Sequence, residues 1–443
     1  MLWWPRDLVP PLGRRAWWLL AGYALEKLGS GLIWPFLVVY MHEVRGIDLA
    51  TAGLVLSAAS VAGVIAVPVS GELVDRIGAG RTVAITVVLG AAGTVGFASM
   101  NGPVWAFVAG CLYGGGTSSM WNVFAALLAE AVPPARRSGV FGMAFGLQNL
   151  GFGLGAAAGG LIVDIHVPAS FTPLFLATTT LYLLFVTLLI ARGETRRQSP
   201  AAPPPAAPGV EKTPAPSGAG AVRRGYHAVF ADRALIGTAI LNALTAVVMV
   251  ALYDVAFPAW ATGPARSSTQ VVGFAFTANS VVIVVVQLFV LRYLLEGRRR
   301  TRMSAVAALI FGAACLLTLI AGKAGGGAFT TAGLIGALGI FGFGNALLQP
   351  SLYALVNDLA PDQLRGRYNA FFNLSFQAGS VAGPAVAGAA LARGMYGTLF
   401  VGLAVTCGFG ALLGLWLERV IPAAANLTFA RPKVGRTENR AEG

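Results

Sequence analysis

Three charged residues interrupt long apolar segments of this sequence and are the first candidates for chemistry. Glu26 and Lys27 lie in the apolar run 16–41, and Asp254 lies in the run 235–261. An ionisable group at the centre of a membrane costs about 2.5–3.5 kcal/mol on insertion scales, so it usually faces a cavity or a charged partner. We predict that Glu26 and Asp254 are proton-coupling residues, which bind and release protons as the protein changes conformation, or that Glu26 recognises a cation. The alternatives are a structural ion pair of Glu26 with Lys27 and simple hydration of Asp254 in a wet vestibule.

Polar and aromatic side chains also occur within the apolar runs. Such side chains can stack on an amphipathic molecule and hydrogen-bond to it in an otherwise apolar pocket. The predicted substrate-binding set consists of Tyr23, Lys27, Trp34, Trp121, Asn122, Gln148, Asn149, Tyr253, Gln349, Asn373 and Gln377. For any single member, a hydrogen bond between neighbouring helices is the alternative.

A charged, glycine-containing segment separates the apolar runs 50–69 and 82–100. Its pattern is Gly71-x3-Asp75-Arg76-x-Gly78-x2-Arg81. We predict a short loop at a membrane face, in which the glycines permit sharp turns and the charges act as a latch during conformational change. An ordinary solvated loop is the alternative.

Membrane-spanning helices have to position all these residues. The sequence is 56% hydrophobic and 11% charged, and its mean hydropathy of +0.72 excludes a soluble globular fold. A run of about 20 apolar residues crosses a hydrocarbon core about 30 Å thick. Twelve such runs are predicted to span the membrane: 16–41, 50–69, 82–100, 103–128, 139–163, 171–191, 235–261, 271–291, 303–320, 329–356, 370–391 and 396–417. The three cysteines match no metal or disulfide spacing, and we predict no cofactor, no metal and no enzymatic activity.

The basic residues indicate the orientation in the membrane. With a cytoplasmic N-terminus, 26 of the 31 Lys and Arg residues fall on cytoplasmic segments, as the positive-inside rule requires. This distribution argues against a nucleic-acid partner despite the net charge of +13. The predicted domains are a cytoplasmic N-terminus (1–15), two six-helix bundles (16–191 and 226–417), a Pro/Ala-rich cytoplasmic linker (192–225) and a cytoplasmic tail (418–443).

The two bundles repeat each other in sequence. Residues 130–137 align with 358–365 at an offset of 228, and the same offset relates Gly151-x3-Gly155 to Gly379-x3-Gly383. Parallel repeats related by an axis along the membrane normal are one way to build a transporter, with substrate bound near the midplane.

The loop pattern, the twelve spans and the repeat resemble the major facilitator superfamily (MFS). The resemblance implies an all-α membrane protein with two pseudo-symmetric six-helix bundles, in which the loop containing Asp75 clamps the two halves together. The glycines of span 5, including Gly151 and Gly155, resemble the motif of twelve-helix drug:proton antiporters. In that motif a proline follows the second glycine, and here it occurs only in the other repeat, as Gly383-Pro384. The family's arginine in span 4 would fall at Gly110 and is absent.

The resemblance implies an exporter of a hydrophobic or amphipathic small molecule, a drug or secondary metabolite, that exchanges it for protons. We expect a monomer in a bacterial plasma membrane, with both termini cytoplasmic, whose partners are the substrate, protons and the lipid bilayer. Two alternatives stay open: proton-coupled uptake of a small metabolite, and a transporter-like sensor or scaffold that moves nothing. A role in gating is predicted for Gly71, Asp75, Arg76, Gly78, Arg81, Gly151, Gly155, Gly383 and Pro384. For the glycine stripes, close packing of helices is the alternative.

Overall fold

The computed structural model describes residues 12–196 and 229–427, which form twelve long helices. The first six are α1 (Arg14–Val44), α2 (Leu49–Ile77), α3 (Ala79–Ala98), α4 (Pro103–Ala131), α5 (Arg137–Ile162) and α6 (Phe171–Ala191). The second six are α7 (Arg233–Thr262), α8 (Thr269–Val290, extended by Leu291–Leu295), α9 (Arg300–Lys323), α10 (Ala328–Leu359), α11 (Arg365–Ala392) and α12 (Tyr396–Val420). The predicted all-α membrane fold is confirmed.

Eleven of these helices are long and apolar enough to cross a membrane by length and composition. The remaining one, α4, has 29 residues and is about 44 Å long, so its length also suffices. Its average hydropathy is lower because its centre contains three successive glycines followed by threonine and two serines, residues 114–119.

The predicted loop at residues 71–81 is wrong in its extent. Helix α2 continues to Ile77, so Gly71, Asp75 and Arg76 are helical, and the chain breaks only at Gly78. Gly78 has a φ of 89°, a conformation that glycine adopts without a steric penalty. The predicted loop is shorter because α2, with 29 residues and a length of about 44 Å, extends well beyond a hydrocarbon core about 30 Å thick.

Side-chain caps fix the beginnings of two helices. Asp48 precedes α2, and its Oδ1 accepts a hydrogen bond of 3.0 Å from the Thr51 backbone N–H. Hydrogen bonds from Thr51 lower the pKa of this exposed carboxyl group. Asp232 caps α7 in the same way through the N–H groups of Ala234 and Leu235. Such caps supply acceptors for N–H groups that have no partner within the helix.

Helices α1 and α7 are each irregular near a proline, Pro35 in α1 and Pro258 in α7. Near Pro35, residues Trp34–Phe36 form a 3₁₀ turn, and residues Ala251–Ala256 form a π-helical turn just before Pro258. Pro258 has no N–H to donate to the carbonyl of Asp254, four residues earlier. The next residue back, Phe257, donates instead to Leu252, five residues earlier. π-Turns within helices often occur at functional sites.

The helices form two halves, α1–α6 and α7–α12, whose buried apolar cores are continuous at one end. We call the end that carries Arg14, Arg81 and Arg192 the arginine-rich end. One buried apolar cluster joins the halves at the opposite end, where it includes Phe36 and Phe257, and it continues through the core of the second half. At the arginine-rich end, the first half has a separate cluster made only of its own residues. The halves are therefore closed against each other at the opposite end.

The predicted repeat is visible in the way the glycine stripes pack. Gly151 and Gly155 of α5 lie against the backbone of α1, and a Cβ at Gly155 would overlap the Leu28 carbonyl oxygen. Gly379 and Gly383 of α11 lie against the backbone of α7 in the same manner. Small residues let membrane helices approach this closely. Each of these stripes therefore holds two helices of one half together.

We expect Gly155→Ala to lower the stability of the protein, because the added methyl group forces α1 and α5 apart. Overpacking of this kind costs about 1–3 kcal/mol. Thermal unfolding in detergent, followed by tryptophan fluorescence, measures the effect. Gly146→Ala is the matched control on the same helix: its Cβ would meet open space, so it should stabilise slightly. Unchanged melting together with lost transport would contradict the packing role and favour gating.

Several predicted segments lie partly or wholly outside the described residues. These are most of the N-terminus 1–15, nearly all of the linker 192–225 and most of the tail 418–443. The described part of the tail docks on α9: Asn426 is buried and accepts a hydrogen bond of 3.0 Å from the Thr301 backbone N–H. Its amide group is thus engaged within the protein.

Candidate substrate cavity

A cavity of about 510 Å³ lies between the two halves, near the middle of the helices. Eight helices contribute to its wall: α1, α2, α4 and α5 from the first half, and α7, α8, α10 and α11 from the second. Seven residues predicted from the sequence line it: Lys27, Trp34, Gln148, Asn149, Tyr253, Asp254 and Gln377. The apolar cluster shared by the halves lies between the cavity and the opposite end of the bundle, and it closes the cavity on that side.

Asp254 and Trp34 connect the two halves across this cavity. The Trp34 Nε1–H donates a hydrogen bond of 2.8 Å to Asp254 Oδ1. The Trp34 ring is also stacked on Tyr113, with ring centroids 5.5 Å apart. Among the described residues, no cationic side chain lies within ion-pair distance of Asp254. The π-turn before Pro258 presents both Tyr253 and Asp254 to the cavity, although the two are adjacent in sequence.

Glu26 is buried beside the cavity and does not line it. Its side chain is 2% exposed, and its Oε2 lies 3.1 Å from Lys27 Nζ. This contact lacks hydrogen-bond geometry, and Oε2 has no hydrogen-bond donor among the described residues. Its other oxygen accepts a hydrogen bond of 3.1 Å from Ser30, whose hydroxyl also shares one of 2.8 Å with Tyr182. The ion pair with Lys27, which the sequence left open, therefore exists, and Lys27 is its cavity-facing member.

Tyr23 supports the cavity from behind. It is fully buried, stacked on Phe124 with centroids 4.2 Å apart, and its hydroxyl donates a hydrogen bond to Gln148. The Lys27 ammonium lies 5.2 Å from the centroid of the Tyr23 ring. Tyr23 thus positions Gln148 and Lys27, both of which line the cavity.

Besides Tyr23, four predicted substrate residues are not part of the cavity wall: Trp121, Asn122, Gln349 and Asn373. Each lies further toward the arginine-rich end of its helix than the residues of α4, α10 or α11 that line the cavity. Asn373 is exposed there and accepts a hydrogen bond of 3.1 Å from the Tyr353 hydroxyl. These residues stay candidates for contact with a substrate on its path to the cavity.

The sequence-based search missed several lining residues. Asn279 of α8 and Asn345 of α10 are amides inside predicted spans, so the criterion that selected Gln148 and Asn149 would have found them. Asn279 is buried, its Oδ1 has no partner among the described residues, and its Nδ2 donates a long hydrogen bond of 3.4 Å to Tyr253. Further lining residues are small hydroxyl and aromatic side chains: Ser30, Ser60, Tyr113, Thr117, Ser118, Phe152, Ser280, Phe341, Phe376 and Ser380. Such residue types are common in any membrane helix, so their presence in the sequence does not predict that they line a cavity.

Among the described residues, the charged members of the predicted latch form no ion pair across the halves. Asp75 forms no ion pair with any residue in the described ranges, and Arg76 pairs with Glu72 of its own helix. Arg81 donates a hydrogen bond of 2.7 Å to the carbonyl of Thr195, just after α6. The arginine-rich end of the first half is thus held to the segment that follows α6, the last helix of the same half.

The close approaches between the halves lie at the level of the cavity and toward the opposite end. A Cβ at Gly53 of α2 would overlap the carbonyl oxygen of Pro384 in α11. Between α5 and α8, the Thr277 hydroxyl donates a hydrogen bond of 2.8 Å to the Gly153 carbonyl. Gly383 faces α7 within its own half, whereas its neighbour Pro384 faces Gly53 across the interface.

Comparison with known proteins identifies the relatives of this chain. It is 25% identical over 389 residues to the uncharacterized MFS-type transporter YttB of Bacillus subtilis (strain 168), covering 84% of this chain and 86% of that protein. It is also 25% identical over 419 residues to multidrug resistance protein 2 of the same organism, covering 92% and 96%.

A solved structure and a family model agree with these relatives. The crystal structure of the peptide transporter POT in complex with sulfate superimposes with a TM-score of 0.69 at 17% identity, covering 95% of this chain and 98% of that one, which shows a common fold. The sequence model of the Major Facilitator Superfamily matches residues 19–321 and 243–437. Because these matches span nearly the whole sequence, the chain belongs to the Major Facilitator Superfamily.

Proposed function

We propose that this protein, a membrane transporter rather than an enzyme, exports a hydrophobic or amphipathic small molecule in exchange for protons. The observation that carries the proposal is the cavity between the halves, which combines aromatic faces, amides and one carboxylate that has no cationic partner in the part of the chain that the structure describes. Its volume of about 510 Å³ lies within the range of about 300–1,000 Å³ that is usual for pockets binding drug-sized ligands.

The wall of the cavity suits an amphipathic substrate. Trp34, Tyr253 and Phe341 offer ring faces, while Gln148 and Gln377 offer hydrogen-bond donors and acceptors from opposite halves. A substrate that touches both halves binds differently when they rearrange, and such a difference is the physical requirement for shifting a conformational equilibrium.

We assign proton coupling to Asp254 and Glu26. Trp34 and Asp254 belong to different halves, so opening the cavity at the opposite end has to break their hydrogen bond. A hydrogen bond to an ionised carboxylate is stronger than one to a neutral group. Protonation of Asp254 therefore favours separation of the halves at that end, which is the behaviour required of a proton site that faces alternating sides.

The direction of export rests on two supporting facts. The positive-inside rule assigns the arginine-rich end, and with it both termini, to the cytoplasm of a bacterial plasma membrane. The cavity, closed at the opposite end, then represents a conformation able to take substrate from the cytoplasm or the inner leaflet. The name of multidrug resistance protein 2, one of the relatives, is consistent with efflux.

Proton flux in proteoliposomes tests the proposal. The purified protein is reconstituted with a pH-sensitive dye inside, and lipophilic cations and neutral drugs are added on one side. We expect some compounds to drive proton movement by the wild type. We expect Glu26→Gln to lose this movement while still binding the compound.

A double variant separates coupling from charge neutralisation. Glu26→Gln leaves Lys27 without its partner in a buried position, which is costly by itself. In Glu26→Gln/Lys27→Met both charges are removed. If this double variant regains proton flux, Glu26 only neutralises Lys27. If no compound moves protons with the wild type, antiport is wrong, and greater accumulation of the compound by expressing cells would favour uptake instead.

A further inference from the structure

A second cavity, of about 290 Å³, opens at the arginine-rich end between the beginning of α1 and the end of α6. Its wall consists of Arg14, Arg15, Trp18, Leu19, Phe185, Leu188, Leu189, Arg192 and Glu194. It lies on the first half only and is separate from the substrate cavity between the halves. We propose that this second cavity binds the phosphate headgroup of an anionic phospholipid of the adjacent leaflet.

The charges of this cavity favour a bound anion. Glu194 is the single acid in the wall, and it accepts hydrogen bonds of 2.8 Å and 2.7 Å from Arg15, which also lies 3.8 Å from Glu130 outside the wall. Arg14 forms no ion pair with any residue in the described ranges, and the Arg192 guanidinium lies 4.3 Å from the centroid of the Trp18 ring. Both arginines are exposed at the rim. Two positive charges therefore remain without an acidic partner among the residues that form the wall.

The remaining wall favours a lipid over a free ion. Leu19, Phe185, Leu188 and Leu189 form an apolar floor below the arginines. Trp18 is 44% exposed at the same level, as expected for a side chain at a membrane interface. A phospholipid can place its phosphate between the guanidinium groups and its acyl chains along the floor. Basic pockets between helices at the cytoplasmic face are known to bind such headgroups.

Occupancy of this cavity would stabilise the neighbouring loop as well. Glu194 and Thr195 follow α6 directly, and their backbone packs on Gly80 and accepts a hydrogen bond from Arg81. A bound lipid contacts Arg192, which lies just before this segment, and restricts its motion. The expected effect is greater thermal stability of the transporter in the presence of the lipid.

The test is a titration of the full-length protein in detergent micelles with phosphatidylglycerol or with zwitterionic phosphatidylcholine, followed by thermal unfolding. We expect phosphatidylglycerol to raise the melting temperature far more than phosphatidylcholine. The variant Arg14→Gln/Arg192→Gln should lose roughly 30-fold in apparent affinity, on the order of fivefold for each arginine. Arg14→Lys/Arg192→Lys, which keeps both charges, should retain most of the response.

The control variant is Arg233→Gln/Arg419→Gln, which removes two exposed arginines at the same end of the second half. It should respond to phosphatidylglycerol like the wild type. An equal loss in this control would mean a non-specific charge effect and would overturn the site. Equal stabilisation by inorganic phosphate would mean a free-anion site. A third outcome is that Arg14→Gln/Arg192→Gln melts at a lower temperature without lipid and responds to lipid as the wild type does. That result would overturn the proposal, because it would mean that the two arginines stabilise the protein and do not bind lipid.

Discussion

Asp254→Asn should reduce proton-driven transport to the level of protein-free liposomes while substrate binding persists. Asparagine preserves the size of the side chain and can still accept the hydrogen bond from Trp34, but it cannot bind and release a proton. Proton flux driven by a compound, and transport of that compound driven by a pH gradient, are the two measurements. Binding is followed by the quenching of tryptophan fluorescence, since Trp34 lines the same cavity.

Two controls make this result specific to Asp254. Asp164→Asn changes an exposed carboxylate that follows α5 outside the cavity and should leave transport unchanged. Trp34→Phe keeps the carboxylate and removes only its donor, so coupling should persist with a conformational equilibrium shifted toward opening at the opposite end. Full coupling in Asp254→Asn would leave Glu26 as the remaining candidate. Loss of binding as well would make Asp254 a substrate ligand instead.

We expect Gly53→Ala to destabilise the conformation described here, in which the halves are closed at the opposite end, and to populate other conformations instead. The added methyl group would overlap the carbonyl oxygen of Pro384 and press on Gly388, which together form the contact between α2 and α11. Overpacking costs about 1–3 kcal/mol, and each 1.4 kcal/mol changes a conformational equilibrium about tenfold. This free-energy cost applies only to conformations in which α2 and α11 are in contact. The equilibrium between open and closed states should therefore shift more than the melting temperature does.

Distance measurement between spin labels at Glu43 and Met395 reports this shift, after replacement of the three native cysteines. Both positions are exposed at the opposite end, next to α2 and α11 respectively. We expect longer distances and slower transport in Gly53→Ala. Gly402→Ala in α12 is the control, because a Cβ there would meet no atom within 4 Å and the position has no predicted role. Unchanged distances in Gly53→Ala would mean that the contact between Gly53 and Pro384 does not stabilise the closed state.

The sequence by itself determined the architecture. Apolar runs long enough for a bilayer predict helices wherever they occur, because a backbone in hydrocarbon must satisfy its own hydrogen bonds. The run at 171–191 coincides with α6, and the offset of 228 predicted that Gly383 repeats the environment of Gly155. The limits of α2 were missed, because charged residues after a span can continue the helix into water until a glycine with positive φ ends it.

Only the tertiary structure decided which polar side chains belong to the cavity. A helix between lipid and an apolar protein interior has little contrast between its faces, so the sequence could not separate Gln148, which lines the cavity, from Gln349, which does not. Packing also paired Glu26 with Lys27 and brought Trp34 to Asp254, 220 residues away. The π-turn before Pro258 changed the local helical register and turned Tyr253 and Asp254 toward the same space. Residue types were readable in the sequence, but their convergence depends on how twelve helices pack.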